Sequence, residues 1–327
     1  MSRRIIDIHN HPNWNWRTTD ALVANMDELG IETTWLLSWE LPKDEADIEL
    51  YSYESLDPRG VGIPLWQVVD GLHKYPERFI GGWAPDPRDR TARGRLYAAV
   101  RMHGIRVYGE LKCRMRYDDP DAIAMFQYCS ELNLPVLFHL QGVECAPKAP
   151  DRISKSPFDW PSWYGGDISV VENMCRLCPQ TQFIGHAPGF WREISGDAGQ
   201  IRGAYPEGTV VTGGRLAKVL RKHENLHCDL SAGSGLNALN RDLEHARGFV
   251  EEFQDRIMFG RDSFDLDQLA LLEKLQLSDQ TMEKILHVNA ENLIKDVGKG
   301  TAGPATTTSE DLIKNAEDLA KNKDKGA

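Results

Sequence analysis

Apolar and polar positions along this chain switch repeatedly between two periods. Short runs rich in β-branched and aromatic residues at 33–38, 79–84, 105–109, 135–139, 182–186, 226–230 and 257–260 read as strands. Each is preceded by a stretch of helical period, at 18–29, 65–75, 94–103, 121–132, 170–177, 215–222 and 247–254. With the run at 5–12 in front, the pattern contains eight strands, β1 to β8 in chain order, and helices over 269–275 and 281–294 close it. Eight strands alternating with helices over this length predict an α/β fold of the (β/α)8 TIM-barrel type. A doubly wound sheet would carry a glycine-rich loop after its first strand, whereas β1 ends in His11-Pro12.

Two segments break the alternation. Residues 39–62 form a long, polar, proline-containing stretch, the kind of loop that serves as a lid over a site. From Gly298 the composition shifts to Gly, Thr, Lys and Asp, so residues 1–297 are expected to form the barrel and 298–327 a flexible tail. Within that tail Leu312, Ile313, Ala316, Leu319 and Ala320 would make the modest apolar stripe of a short helix.

Charge and cysteine usage narrow the class. A net charge of -11 argues against a nucleic-acid partner. No secretion-type leader and no apolar run of membrane-spanning length are read, so a cytoplasmic protein with no membrane partner is expected. The expected partner is a small-molecule substrate, with assembly into a homo-oligomer compatible with the composition. Six cysteines in such a setting read as reduced thiols. Cys175 and Cys178 have metal-type spacing but no second pair, and they sit in a helical pattern, which favours a packing role.

The candidate chemistry starts on β1, Ile5-Ile6-Asp7-Ile8-His9-Asn10-His11-Pro12. Period-two alternation places Asp7, His9 and His11 on one face, with Ile6 and Ile8 on the other. A carboxylate and two imidazoles are costly to bury unless they bind something, and two histidines at i, i+2 can chelate one divalent cation. Other strand ends carry His139 on β5, His186 on β6 and Asp262 just after β8. In a barrel these ends converge on the face where such folds keep their sites. Three imidazoles and one carboxylate make a mononuclear zinc shell, leaving a fourth imidazole as acid, base or electrophile. His73, His103, His223, His227, His245 and His287 fall mostly in helices or turns and are expected to be solvated or capping.

These residues, together with Phe259-Gly-Arg-Asp262 and the closing Val288-Asn289-Ala290-Glu291-Asn292-Leu293, resemble the amidohydrolase superfamily. The similarity is to its amidohydrolase-2 branch, which includes aminocarboxymuconate-semialdehyde decarboxylase, and it spans the whole barrel. The resemblance implies that His9, His11, His139 and Asp262 hold a metal, that His186 is catalytic and that Asp7 stands behind the ligands. Decarboxylases of the branch tend to have a glycine-rich run after the β6 histidine and an aromatic-proline pair after the β8 aspartate. Here the chain reads His186-Ala-Pro-Gly-Phe-Trp and Ser263-Phe264. Binuclear members take a carboxylate or a carboxylated lysine from β4. If Arg106 and Tyr108 face the interior, Glu110 and Lys112 follow, and Glu110 either holds a second metal or pairs with Lys112.

The leading expectation is a hydrolase of an amide, cyclic amide or lactone that uses one divalent metal to activate water, zinc first and manganese second. Asp262 would move the proton, His186 would steady the oxyanion, and Trp14, Trp16, Trp39 and Trp191 would wall the pocket. The alternative is a non-oxidative decarboxylase or hydro-lyase on a carboxylated acid, with Arg106, Arg192 or Arg261 pairing the carboxylate and Lys112 nearby. A binding module that has lost its chemistry would lack a site residue, and all five are present.

Overall fold

The computed structural model describes residues 3–14, 17–40, 62–142, 164–201 and 203–300. Residues 41–61 of the expected lid over 39–62, residues 301–327 of the expected tail from Gly298, and Trp16 lie outside the described residues. Eight parallel strands form the barrel: β1 Ile6–Asn10, β2 Thr33–Leu36, β3 Phe79–Gly81, β4 Tyr108–Leu111, β5 Val136–His139, β6 Phe183–His186, β7 Leu226–Asp229 and β8 Ile257–Met258. β1, β2 and β3 pair in one run and β4 to β8 in another. A parallel bridge between Gly82 and Val107 joins the runs on one side. On the other, Ile8 N–H donates to Phe259 O at 3.0 Å and Asp262 N–H donates to His9 O at 2.8 Å. The sheet is thereby closed, and the fold is the expected (β/α)8 barrel.

Helix starts follow their caps. Thr19–Leu29 begins after Thr18, whose side chain accepts from Ala21 N–H, and stops at Gly30, where φ is 70°. Ile168–Leu177 and Leu243–Glu252 start ahead of the apolar period because Asp167 and Asp242 cap their first turns. Ala232–Asn240 is an additional helix that its Ala-Gly-Ser-Gly opening hides. A Cβ at Gly235 would lie 2.3 Å from Leu230 O, so the glycine lets this helix sit against the end of β7. The closing stretch is Asp279–Glu283, a π-helical turn Lys284–Val288 and Asn289–Ile294. Within the long polar segment, Trp39–Glu40 pairs antiparallel with Gly62–Ile63. None of the described helices is long and apolar enough to cross a membrane.

Two apolar layers form. Ile6, Ile8, Trp35, Leu37, Val107, Leu137, Ile184 and Met258 meet in one cluster, closed by Ala290 and Ile294. Side chains from so many strands can meet only inside the barrel. A larger cluster fills the space between strands and helices. Cys175 and Cys178 belong to it, and burial pushes both thiols up to about 12.

Simple alternation fails at two strands. Ile6 and Ile8 face the interior, so a regular β1 would aim His9 at the helices, yet His9 reaches the site. The pairing of β1 with β2 shifts register between Asp7 and Asn10. Likewise β4 shifts against β5 between Tyr108 and Leu111. Tyr108 faces outward, its ring 6.4 Å from Phe126 and its hydroxyl donating to Pro85 O, while Glu110 turns inward. Arg106 donates to Ile294 O at 2.7 Å, at the opposite end of the barrel. One extra residue exchanges the faces of a strand, so Arg106, Tyr108 and Glu110 do not share one.

The β8–β1 seam is held by Asp7 and Arg261, both fully buried. Arg261 donates its backbone N–H to Asp7 Oδ1 and its Nε–H to Asp7 Oδ2, each at 2.9 Å, and Nη1 donates to Asn25 Oδ1 at 2.8 Å. Asp7→Asn keeps the shape but strands a guanidinium, so a stability loss of about 3–5 kcal/mol is expected in urea unfolding.

His227 departs from the solvated role expected of it. It lies in β7, 8% exposed, with Nε2 3.0 Å from Gln182 Oε1. Burial, reinforced by Arg256, lowers its pKa to about 3. An unfolded imidazole titrates near ~6.5 and binds more protons between these values, so this residue costs stability as pH falls through that window and the loss levels off near the lower value. His227→Gln should therefore lose less stability than wild type between about pH 7 and 4, by on the order of 3 kcal/mol in matched urea titrations.

Candidate metal centre

The C-terminal ends of β1, β4, β5 and β6 bring four imidazoles around one carboxylate. Glu110 Oε2 lies 3.8 Å from His9 Nε2 and 3.6 Å from His11 Nε2. Its Oε1 lies 2.8 Å from His139 Nδ1 and 3.8 Å from His186 Nε2. His11 Nε2 is also 3.5 Å from Asp262 Oδ1. The rings are held from behind: His11 Nδ1 donates to Leu37 O at 3.0 Å, and His9 Nδ1 donates to Asp229 Oδ2 at 2.7 Å.

Several atoms point into this space with nothing to bind. His9 Nε2 and Asp262 Oδ1 are buried without a hydrogen-bond partner. His9, Glu110 and His186 form one donor group, and His9, His11 and Asp262 another, each with ligand atoms within 4.8 Å of one another. Imidazole nitrogens and carboxylate oxygens so placed fit a divalent cation, and buried carboxylates need a positive partner. His139 reaches Glu110 and Gln141 but joins neither group.

The charges respond to this crowding. Burial works against a charge on His9, but Asp229, Asp262 and Glu110 outweigh it and hold the imidazole well above its usual range. Burial also opposes ionisation of Glu110, and His139 and His9 overcome it, leaving the carboxyl well below its usual range. Burial, then Lys112, lowers His139 to about 4. Glu110 and Asp262 thus favour positive charge at this centre, whether on His9 or on a bound cation.

Close approach depends on Gly260. A Cβ there would lie 2.5 Å from Asp229 Oδ1 and 3.3 Å from His9 Cβ. Above the centre, a cavity of about 310 Å3 is lined by Asn10, Trp14, Arg17, Asp262, Ser263, Phe264 and Asp265. A larger cavity, about 360 Å3, opens at the other end of the barrel around His227 and Asn289, away from these groups.

The sequence model of the amidohydrolase family matches residues 6–295. The chain belongs to the amidohydrolase family. No curated protein matches it. Among solved structures, it is similar to 2,6-dihydroxybenzoate decarboxylase from Rhizobium, at 18% identity and TM-score 0.55 over 90% of this chain and 99% of that one. A dihydroxybenzoic acid decarboxylase from Polaromonas sp. JS666 with bound manganese gives 19% identity and TM-score 0.53 over 90% and 98%. A protein from Pseudomonas putida assigned as a 2-pyrone-4,6-dicarboxylic acid hydrolase gives 14% identity and TM-score 0.55 over 90% and 98%.

In this amidohydrolase several residues expected at the substrate lie elsewhere. Arg192 is 2% exposed, and its guanidinium donates to the carbonyls of Ala198, Ile201 and Gly203, so it ties down a loop. Trp191 is fully buried and donates Nε1–H to Asp229 O at 2.8 Å, with its ring against Phe190 and Phe249. Arg106 and Arg261 are occupied at the far end and in the seam. Trp14 and Trp39 do reach the centre, 5.3 and 5.1 Å from the His11 ring. Lys112 Nζ sits 5.1 Å from the Trp39 ring and 5.6 Å from the Tyr164 ring, and Tyr164 lies 5.4 Å from His139. Asp229, Ser231, Arg17 and Arg114 are further members that the sequence reading does not pick out. Asp229 had a signal, being a carboxylate at the end of β7 between the strands of His186 and Asp262.

His9 has one nitrogen, Nε2, facing the centre and belongs to both donor groups, so only one complete site can form at a time. Elemental analysis of the amidohydrolase purified without chelator should give about one divalent ion per chain. A value near two would make Glu110 a bridge, and trace metal alone would remove the site. Because a proton on His9 must leave, loading should release protons and weaken as pH falls.

Proposed function

We propose that this amidohydrolase cleaves an amide, a cyclic amide or a lactone in a small molecule by metal-dependent hydrolysis. The observation that carries the reading is the position of Asp262, between buried imidazoles and an open chamber. Its Oδ1 lies 3.5 Å from His11 Nε2, its side chain is 21% exposed, and it lines the cavity of about 310 Å3. His9, His11 and Asp262 would hold the ion, with Glu110 and His186 beside it. A divalent ion supplies Lewis acidity toward a carbonyl and toward water there. Zinc suits the nitrogen-rich donors best, and manganese is second.

Asp262 then accepts the proton of the attacking water and returns it to the leaving nitrogen or oxygen. Trp14 and Trp39, edge-on to His11, exclude bulk water from that side. Arg17 at the chamber, with Lys112 and Arg114 around Tyr164, offers positive charge to a substrate carboxylate. In this reading His139 orients Glu110 and stands outside the ion's donors, unlike the part that the resemblance assigns to it. The same cations also suit the second reading, non-oxidative decarboxylation or a hydro-lyase reaction of a carboxylated acid, in which no water oxygen is transferred by hydrolysis.

Lactones, cyclic amides and unsaturated polycarboxylates screened in 18O-labelled water, with CO2 followed in parallel, separate the two. Label in the product without CO2 is expected, and CO2 without label would replace hydrolysis by decarboxylation. Asp262→Asn retains an oxygen donor but loses the base, so kcat/KM should fall by about 10²–10⁴-fold. A rate close to wild type would end the role of Asp262 in moving the proton.

A further inference from the structure

Behind His9 and His186 lies a buried network that the reaction described above does not use. Asp229 closes β7, and Ser231 follows two residues later. Asp229 Oδ2 is 2.7 Å from His9 Nδ1 and accepts from Ser231 Oγ at 2.8 Å. Ser231 Oγ is 2.9 Å from His186 Nδ1 and 3.2 Å from His9 Nδ1. Asp229 Oδ1 accepts from the Ser231 backbone N–H at 2.9 Å. His9, Asp229 and Ser231 are fully buried and His186 nearly so, which keeps water from offering alternative partners.

The proton inventory of this network leaves one arrangement. A carboxylate has no hydrogen to give, so the proton between His9 and Asp229 sits on His9 Nδ1. Ser231 has a single O–H. Turned toward either ring, it would leave its own oxygen facing Asp229 Oδ2 at 2.8 Å with no hydrogen between two acceptors. The O–H therefore goes to Asp229, and Ser231 can offer His186 only a lone pair. The nitrogen that donates to it, His186 Nδ1, is then the protonated one. Leu37 O imposes the same choice on His11.

We propose that Ser231 and Asp229 are positioning residues that lock a proton onto Nδ1 of both His9 and His186, so that both rings present Nε2 to Glu110. One hydroxyl thereby couples two imidazoles on strands β1 and β6, and the ring atom that His186 turns to the centre is Nε2, 3.8 Å from Glu110 Oε1. The metal-centre reading explains why Nε2 atoms turned to the centre matter, while the Nδ1 proton positions follow from the network itself.

Ring nitrogen shifts of 15N-histidine-labelled protein, recorded with and without Zn2+, test this directly. Slowly exchanging ring protons on Nδ1 of His9 and His186 are expected in both states. Ser231→Ala leaves His186 Nδ1 only the longer contact with Asp229 Oδ2 at 3.3 Å, so the Nδ1 proton should exchange faster and Zn2+ binding, measured by chelator competition, should weaken by about 10–100-fold. Ser231→Thr restores the hydroxyl and should recover both signals. A wild-type His186 proton on Nε2, or a Ser231→Ala protein unchanged in spectrum and affinity, overturns the proposal. Nδ1 protons in a wild-type protein that binds no Zn2+ would sink the metal-centre reading and leave this proposal standing.

Discussion

Everything at the centre depends on the ion pair that closes the barrel. Asp7 and Arg261 are 254 positions apart and meet in the seam between the first strand and the last. A buried pair of this kind is weak support for stability, because removing two charges from water offsets much of their attraction. What it supplies is register. Two hydrogen bonds from Arg261 to Asp7 fix where β8 ends against β1, and that alignment hands Asp262 N–H to His9 O and brings Gly260 against His9 and Asp229. A seam displaced by one residue would turn His9 away from Glu110.

A second constraint is the crowding of like groups. Glu110, Asp229 and Asp262 lie among imidazoles in a space with little water, where each carboxylate needs a cation and each imidazole resists becoming one. The layers divide the task. Asp229 and Ser231 satisfy the outer ring nitrogens, Glu110 gathers the inner ones, and Asp262 alone looks out on the chamber. The family's use of a divalent metal fits this imbalance, since an ion held through His9 would supply the positive charge that these carboxylates need.

The strand count, the barrel and the identity of the strand-end histidines were legible because period and residue type carry them. The starts of two helices were not, because the apolar period places them late and Asp167 and Asp242 cap them earlier. The direction in which β4 aims its side chains was not legible. A bulge between Tyr108 and Leu111 leaves no compositional mark, so period two alone puts Arg106 on one face with Glu110. Arg192 and Trp191 sit in sequence beside His186, but the backbone turns of their loop send both away from the chamber. Ser231 carries no signal at all, since one hydroxyl among many becomes special only through its neighbours.

The two register shifts bear on how such a barrel could be built. Idealised strands give side chains that strictly alternate, and a designer working from them would reach a stable shell whose β4 carboxylate points at the surrounding helices. Grafting His9, His11, Glu110, His186 and Asp262 onto that shell would reproduce the residue list and lose the centre. The irregular pairings at β1 and β4 are therefore part of the functional specification, to be copied along with the side chains they aim.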